Sequence, residues 1–192
     1  MRPSRALPYE LHVDARAQVH ASTITLAFRN TGRVGAVFHV YDKLHLDRIP
    51  RRYTVEAGKG LGDEWMLGGD EGRYDLWVYG PNGFLREFRG VLGGSAGGSL
   101  ETSLEYDVEN RSIRLIASNQ GHRAVTLEVR ANAYRSDGPW ELAVPPARRV
   151  IREWSLIGSH YWYDFTVGGD GFERRFAGRV ETGGRGFSDP AV

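Results

Sequence analysis

The chain has no cysteine, so disulfides, thiol nucleophiles, Cys-ligated zinc and iron–sulfur clusters are excluded together, whatever the compartment. It also lacks an excess of charge of either sign. Lys+Arg is 25 against Asp+Glu 24, so no broad field exists to collect a polyanion, and nucleic acid is not expected as a partner. Lysine itself is nearly missing: only Lys43 and Lys59 occur, and the remaining basic residues are arginines dispersed along the chain, the pattern of a codon bias more than of grouped phosphate contacts. No apolar run approaches the ~20 residues needed to cross a bilayer. The first ten residues are proline-rich and lack the apolar core of a signal peptide, so the chain as it stands reads as soluble. No stretch has a convincing helical period.

What is present is sufficient for a core. Hydrophobic residues make up 41% of 192 and charged residues 26%, the balance of a folded protein of one large or two small domains. Residues 93–99, Gly-Gly-Ser-Ala-Gly-Gly-Ser, hold no side chain able to fill a core and read as a flexible connector. Sliding the second half back by 89 positions aligns Ile24 with Ile113, Leu26 with Leu115, Asn30 with Asn119, Gly32 with Gly121 and Val55 with Val144. Glu64-Trp65 then meets Glu153-Trp154, and Tyr74-Asp75 meets Tyr163-Asp164. A one-residue gap at Pro81 brings Phe84, Arg86, Phe88 and Gly90 onto Phe172, Arg174, Phe176 and Gly178. Sixteen of the 62 ungapped pairs are identical, against about four expected by chance, which marks a tandem duplication. The expected organisation is a first repeat at 1–92, the connector, a second repeat at 100–184 and a tail at 185–192.

Within each copy the hydrophobic period is two. Ile24, Leu26 and Phe28 alternate with Thr23, Thr25 and Arg29; Ala36, Phe38 and Val40 form a second set; Tyr74, Leu76 and Val78 form a third, with counterparts in the other copy. Segments near Glu10, Leu26, Phe38, Val55, Trp65, Leu76 and Phe88 give about seven short strands per copy, so the fold class is all-β, two tandem antiparallel β-sandwiches of immunoglobulin-like type. Asn30-Thr31-Gly32, Gly80-Pro81-Asn82-Gly83 and their counterparts read as hairpin loops. Trp65, Tyr74, Phe84, Phe88 and their repeats read as core, and Asp75 and Asp164, on the outward phase, as partners of arginines.

Chemistry is harder to find. Gly93-Gly94-Ser95-Ala96-Gly97 matches G-x-S-x-G but lies in a connector, not between a buried strand and a helix. Gly58-Lys59-Gly60-Leu61-Gly62 lacks both the full phosphate-loop pattern and a following helix, and reads as a loop. None of the six histidines recurs in the other copy. His39, Asp42, His45 and Asp47 suit a metal only if the strand bends sharply, because on a regular strand His39 and His45 lie about 20 Å apart. The acidic pairs Asp63-Glu64 and Asp70-Glu71 suggest calcium only if they meet at one end of a sandwich. No catalytic residue, metal or cofactor is therefore expected. Trp77 and Tyr79 are the informative asymmetry: they sit on the outward phase where the second copy has Thr166 and Gly168, and with Arg86, Arg89, Arg51 and Arg52 around them they are the expected contacts for a lipid or a partner.

Phe28-Arg29-Asn30-Thr31-Gly32, Phe38-His39-Val40-Tyr41-Asp42, Arg52-Tyr53-Thr54-Val55-Glu56-Ala57-Gly58, Asp63-Glu64-Trp65 and above all residues 74–90, YDLWVYGPNGFLREFRG, resemble the C-terminal repeat of bacterial phosphocholine-preferring phospholipases C. Tyr163-Asp164-Phe165 and Gly171-Phe172-Glu173-Arg174-Arg175-Phe176 keep the skeleton of the pattern in the second copy. The resemblance implies a secreted or periplasmic bacterial parent enzyme that cleaves phosphatidylcholine to diacylglycerol and phosphocholine, with its catalytic residues in a preceding phosphoesterase domain. None of those residues transfers to this chain, which is then an excised C-terminal region or an enzyme-free relative. Its expected partners are that N-terminal phosphoesterase domain and a phospholipid surface. The rival expectations are an independent module for lipid headgroups or carbohydrate, and a calcium-dependent membrane module.

Overall fold

The computed structural model describes residues 2–94, 99–169 and 171–191. In the first half the strands are β2 (Leu11–Gln18), β3 (Thr23–Asn30), β4 (Ala36–Asp42), β5 (Arg51–Val55), β6 (Gly60–Met66), β7 (Arg73–Tyr79) and β8 (Leu85–Val91), preceded by a short β1 (Pro3–Ser4). The second half repeats the order with β9 (Leu100–Asp107), β10 (Ser112–Asn119), β11 (Val125–Ala133), β12 (Trp140–Val144), β13 (Arg148–Ser155), β14 (Trp162–Gly169) and β15 (Phe172–Arg179), and β16 (Gly186–Phe187) returns to pair with β1. Only two 3-10 turns, Gly68–Asp70 and Ile157–Ser159, interrupt the strands among the described residues.

Period-two patterning decides the layers. One face of each strand is apolar and must be covered, so a three-stranded sheet β2-β3-β6 packs on β8-β7-β4-β5, and β13-β10-β9 packs on β12-β11-β14-β15. Each half has its own apolar cluster. Ile24, Leu26, Phe28, Phe38, Val40, Trp65, Tyr74, Val78 and Phe88 fill the first, and Ile113, Leu115, Leu127, Val129, Trp154, Tyr163, Val167 and Phe176 the second.

The outer layers, however, are one sheet. Strands β8 and β15 are hydrogen-bonded antiparallel, joining eight strands in the order β12-β11-β14-β15-β8-β7-β4-β5. Phe88 faces Arg174 and Phe176 faces Arg86 in this register. Because Arg86 and Arg174, and Phe88 and Phe176, are repeat counterparts, the junction is a local two-fold axis relating the copies.

The Asn30 and Asn119 turns are not hairpins. The first carries the chain from β3, in the three-stranded sheet, to β4, in the eight-stranded one, and the second does the same from β10 to β11. The asparagine makes the crossing possible by satisfying the backbone that leaves the ladder. Asn30 Nδ2 donates to the Val34 and Val55 carbonyls (2.8 and 3.0 Å), and its Oδ1 accepts from Gly32 N (3.0 Å). Asn119 repeats the set with Arg123, Val144 and Gly121. Both are buried, so each replaces bonds that water cannot supply. The Gly80–Gly83 loop is a true hairpin between β7 and β8. Its counterpart joins β14 and β15, with Asp170 outside the described residues. The serine of G-x-S-x-G, Ser95, also lies outside them.

Candidate functional site at the junction and outer face

The inner side of the junction is built on two arginines. Arg86 is 1% exposed and Arg174 0%. Arg86 Nη1 donates to the Leu85 and Ala177 carbonyls (2.8 and 2.9 Å), and Nη2 to the hydroxyls of Tyr106 and Tyr163 (2.8 and 3.0 Å). Arg174 Nη1 donates to the Glu173 and Arg89 carbonyls (2.9 and 3.0 Å), and Nη2 to the Tyr74 hydroxyl (2.9 Å). Each guanidinium thus crosses the axis to the other copy's tyrosine and stacks on its own copy's phenylalanine, Phe84 (4.2 Å) or Phe172 (4.1 Å).

The two-fold breaks in the last partner. Arg174 meets the Glu101 carboxylate (3.1 Å), which also accepts from Ala17 N, whereas Arg86 makes no ion pair among the described residues and is held by the two tyrosine hydroxyls. Burial pushes the Tyr106 and Tyr74 hydroxyls above the ordinary phenol range, keeping both protonated. His12 lies against Tyr106 (ring centroids 4.8 Å). Burial, with Arg29 and Arg86 nearby, lowers its pKa to about 4, so it is neutral at pH 7.

Of the six expected surface contacts, Arg86 must be withdrawn. It shares the inward phase with Phe84 and Phe88, so it cannot flank an exposed face. Arg51 is also turned away: it pairs across the strands with the fully buried Val40, lies over the Trp65 ring (3.9 Å) and bonds Asp63 (2.8 Å) at the edge of the sandwich. Trp77, Tyr79, Arg52 and Arg89 do share the outer face of the eight-stranded sheet, where Tyr41 joins them. Tyr79 packs edge-on against Tyr41 (5.7 Å), Trp77 Nε1 donates to Asp75 (2.8 Å), and the Lys43 ammonium sits over the Trp77 ring (4.2 Å). In the second half the same positions are Arg130, Thr166 and Gly168.

Arg89 is committed to the junction. It bonds Asp75 (3.0 Å) on its own side and Glu173 (3.2 Å) across the axis, while Arg175 bonds Asp164 (2.7 Å) and reaches across to Glu87 (3.0 Å). Asp75 and Asp164 are therefore arginine partners. Burial raises the Glu87 carboxyl against the pull of Arg175, and the hydrogen bonds that Arg175 donates to Asp164 raise its own pKa above the ordinary range.

The metal candidates disperse. Asp42 bonds Arg48 (3.2 Å) and Leu44 N, His45 Nε2 bonds Asp70 (2.6 Å), and Asp63 takes Arg51 and the Tyr53 hydroxyl. No group of three or more His, Asp or Glu side chains suited to a metal occurs among the described residues. No helix is long and apolar enough to cross a membrane.

The sequence reading missed the two arginines and the apolar loop between β4 and β5. The signal for the arginines was available: Arg86 and Arg174 recur at one repeat position and share parity with core phenylalanines.

Comparison with known proteins then gives these features a context. The family described as bacterial phospholipase C, C-terminal domain, matches residues 3–91 and again residues 100–179. The chain belongs to this family. It is 44% identical over 199 residues to a non-hemolytic phospholipase C of Pseudomonas aeruginosa, covering all of this chain and 29% of that protein. A non-hemolytic phospholipase C of Burkholderia pseudomallei is 46% identical over 197 residues, with 28% of its length covered, and a hemolytic phospholipase C of Pseudomonas aeruginosa is 34% identical over 218 residues, with 30% covered. The chain thus spans less than a third of the curated relatives it matches, and it corresponds to their C-terminal part. The phospholipase C C-terminal region is all-β, and each copy brings a strand, an arginine and a tyrosine to the junction.

Proposed function

We propose that this chain is the noncatalytic C-terminal accessory region of an exported bacterial phospholipase C. The parent would hydrolyse phosphatidylcholine to diacylglycerol and phosphocholine in a preceding phosphoesterase domain. This region would serve as one preformed body that stabilises and positions that domain. The observation that carries the reading is the double family match over a chain that equals less than a third of each relative. Two features of the junction support it. Buried arginines and cross-axis ion pairs fix the halves in one orientation, as a positioning body requires, and among the described residues the outer face carries its exposed aromatics, Tyr41 and Tyr79, on the first half.

The chain, purified alone, is expected to leave phosphatidylcholine and a chromogenic phosphocholine ester intact, and to raise the thermal midpoint of the separately expressed preceding region of the parent on mixing. Hydrolysis by the chain that is abolished by substituting its own residues would overturn the noncatalytic reading. Unchanged melting on mixing would overturn the positioning role.

A further inference from the structure

The three most exposed large apolar side chains among the described residues, Ile49, Met66 and Leu46, gather at one end of the first half. In the eight residues from Lys43 to Pro50 that join β4 to β5, Ile49 is 89% exposed, Leu46 64% and Leu44 42%, and Met66, at the end of β6, is 71% exposed. Leu44, Ile49 and Met66 border one shallow recess. The fold does not require this: the same loop of the second copy reads Asn132-Ala133-Tyr134-Arg135-Ser136-Asp137-Gly138-Pro139, with Arg135 tied to Asp137 (2.7 Å).

The loop is also stiffened so that the apolar side chains stay outside. His45 N donates to the Asp42 carbonyl (3.1 Å), Arg48 N to the His45 carbonyl (3.0 Å) and Leu44 N to Asp42 Oδ1 (3.1 Å). Its charges are tied behind the tip, in Asp42–Arg48, His45–Asp70 and Arg51–Asp63. Burying the tip therefore leaves one of its own charges, Asp47, without an ion partner among the described residues, while Lys43 at its base stays over the Trp77 ring (4.2 Å). In and around it, the side chains with no ion partner among the described residues are of both signs, Lys43, Arg52 and Arg73 against Asp47, Glu64 and Glu71. A surface of one sign would be repelled by half of these groups, whereas a zwitterionic headgroup layer offers phosphates to the arginines and ammonium groups to the carboxylates.

We propose that the Leu44–Ile49 loop with Met66 is a membrane-insertion tip that docks the chain on a zwitterionic phospholipid surface. This deepens the accessory reading and moves the lipid contact from the Trp77–Tyr79 face to the loop. Burying Leu46 and Ile49 together contributes about 3 kcal/mol at the low end of the usual range for such side chains, so Leu46→Asp/Ile49→Asp is expected to weaken partitioning by at least tenfold.

The experiment is cosedimentation of the full chain with vesicles of phosphatidylcholine alone and of phosphatidylglycerol alone. Expected are binding to the first, loss in the double variant with an unchanged melting curve, and no loss in Ile151→Asp, a control at an exposed position of the second half. Because the chain has no cysteine, Ile49→Cys carries a single environment-sensitive dye, whose emission should shift to the blue on vesicles. Failure to bind phosphatidylcholine, preference for phosphatidylglycerol, equal binding by the double variant, or a dye that stays in water would each overturn the proposal. If vesicles fail and the double variant instead weakens association with the parent's preceding region, the tip belongs to that protein contact, and the accessory reading stands without the lipid one.

Discussion

At the scale of single residues, the junction depends on groups whose removal leaves others buried and unpaired. Arg86→Met deletes a buried cation and the donors to the Ala177 carbonyl and to the Tyr106 and Tyr163 hydroxyls, which keep only their bond to each other (2.9 Å) and that of Tyr106 to the Leu11 carbonyl (2.8 Å), and is expected to lower stability by about 3 kcal/mol in urea unfolding. Pairing it with Tyr163→Phe should return a coupling of about 1 kcal/mol in a double-mutant cycle, where independent sites would give none. His12 sets an acid limit. Its folded pKa, about 4, is below the unfolded 6.5, so between those values the unfolded chain binds more protons. Its contribution is complete above about pH 6.5 and is lost progressively as the pH falls toward 4, by up to about 3 kcal/mol. His12→Phe should flatten that part of the stability profile, and an unchanged slope would place the acid sensitivity elsewhere.

At the scale of elements, the paired strands β8 and β15 approach so closely that side chains are excluded from set positions. A Cβ at Gly90 would lie 2.5 Å from the Tyr74 hydroxyl and 3.1 Å from the Gly171 carbonyl. Gly90→Ala should therefore displace Tyr74, break its bond from Arg174 and lower the urea midpoint by an amount equivalent to about 2 kcal/mol, with the strands retained by circular dichroism. This is also where sequence legibility ends. Alternation in β3, β4 and β7 reported which residues point inward, because parity is a local property of extended chain, and Trp65, Tyr74, Phe88 and their repeats are buried as read. Parity does not report which strand lies at which edge. Asn30-Thr31-Gly32 looks the same in a hairpin and in a crossing between sheets; the difference lies in Val55, 25 positions away, which accepts its bond. Likewise the pairing of β8 with β15 links residues more than 80 apart and leaves no local trace. Arg86 was readable from parity, but charge led it to be placed among surface groups. The exposed Leu46 and Ile49 carry no period at all, since loop side chains obey none.

For the molecule as a whole, the consequence is that a duplicated chain behaves as one body. Eight continuous strands, two crossed arginines and the ion pairs Arg89–Glu173 and Arg175–Glu87 hold the halves together. Such a body can hold a partner domain at a fixed angle to whatever surface its Leu44–Ile49 tip meets, which two beads on a flexible string could not. Equilibrium urea unfolding, followed by hydrogen exchange of core amides in β3 and in β10, tests this directly. The account predicts one coincident transition for both strands, and an Arg86→Met variant in which both midpoints fall together. Two separated transitions, with only one of them moved by Arg86→Met, would contradict it.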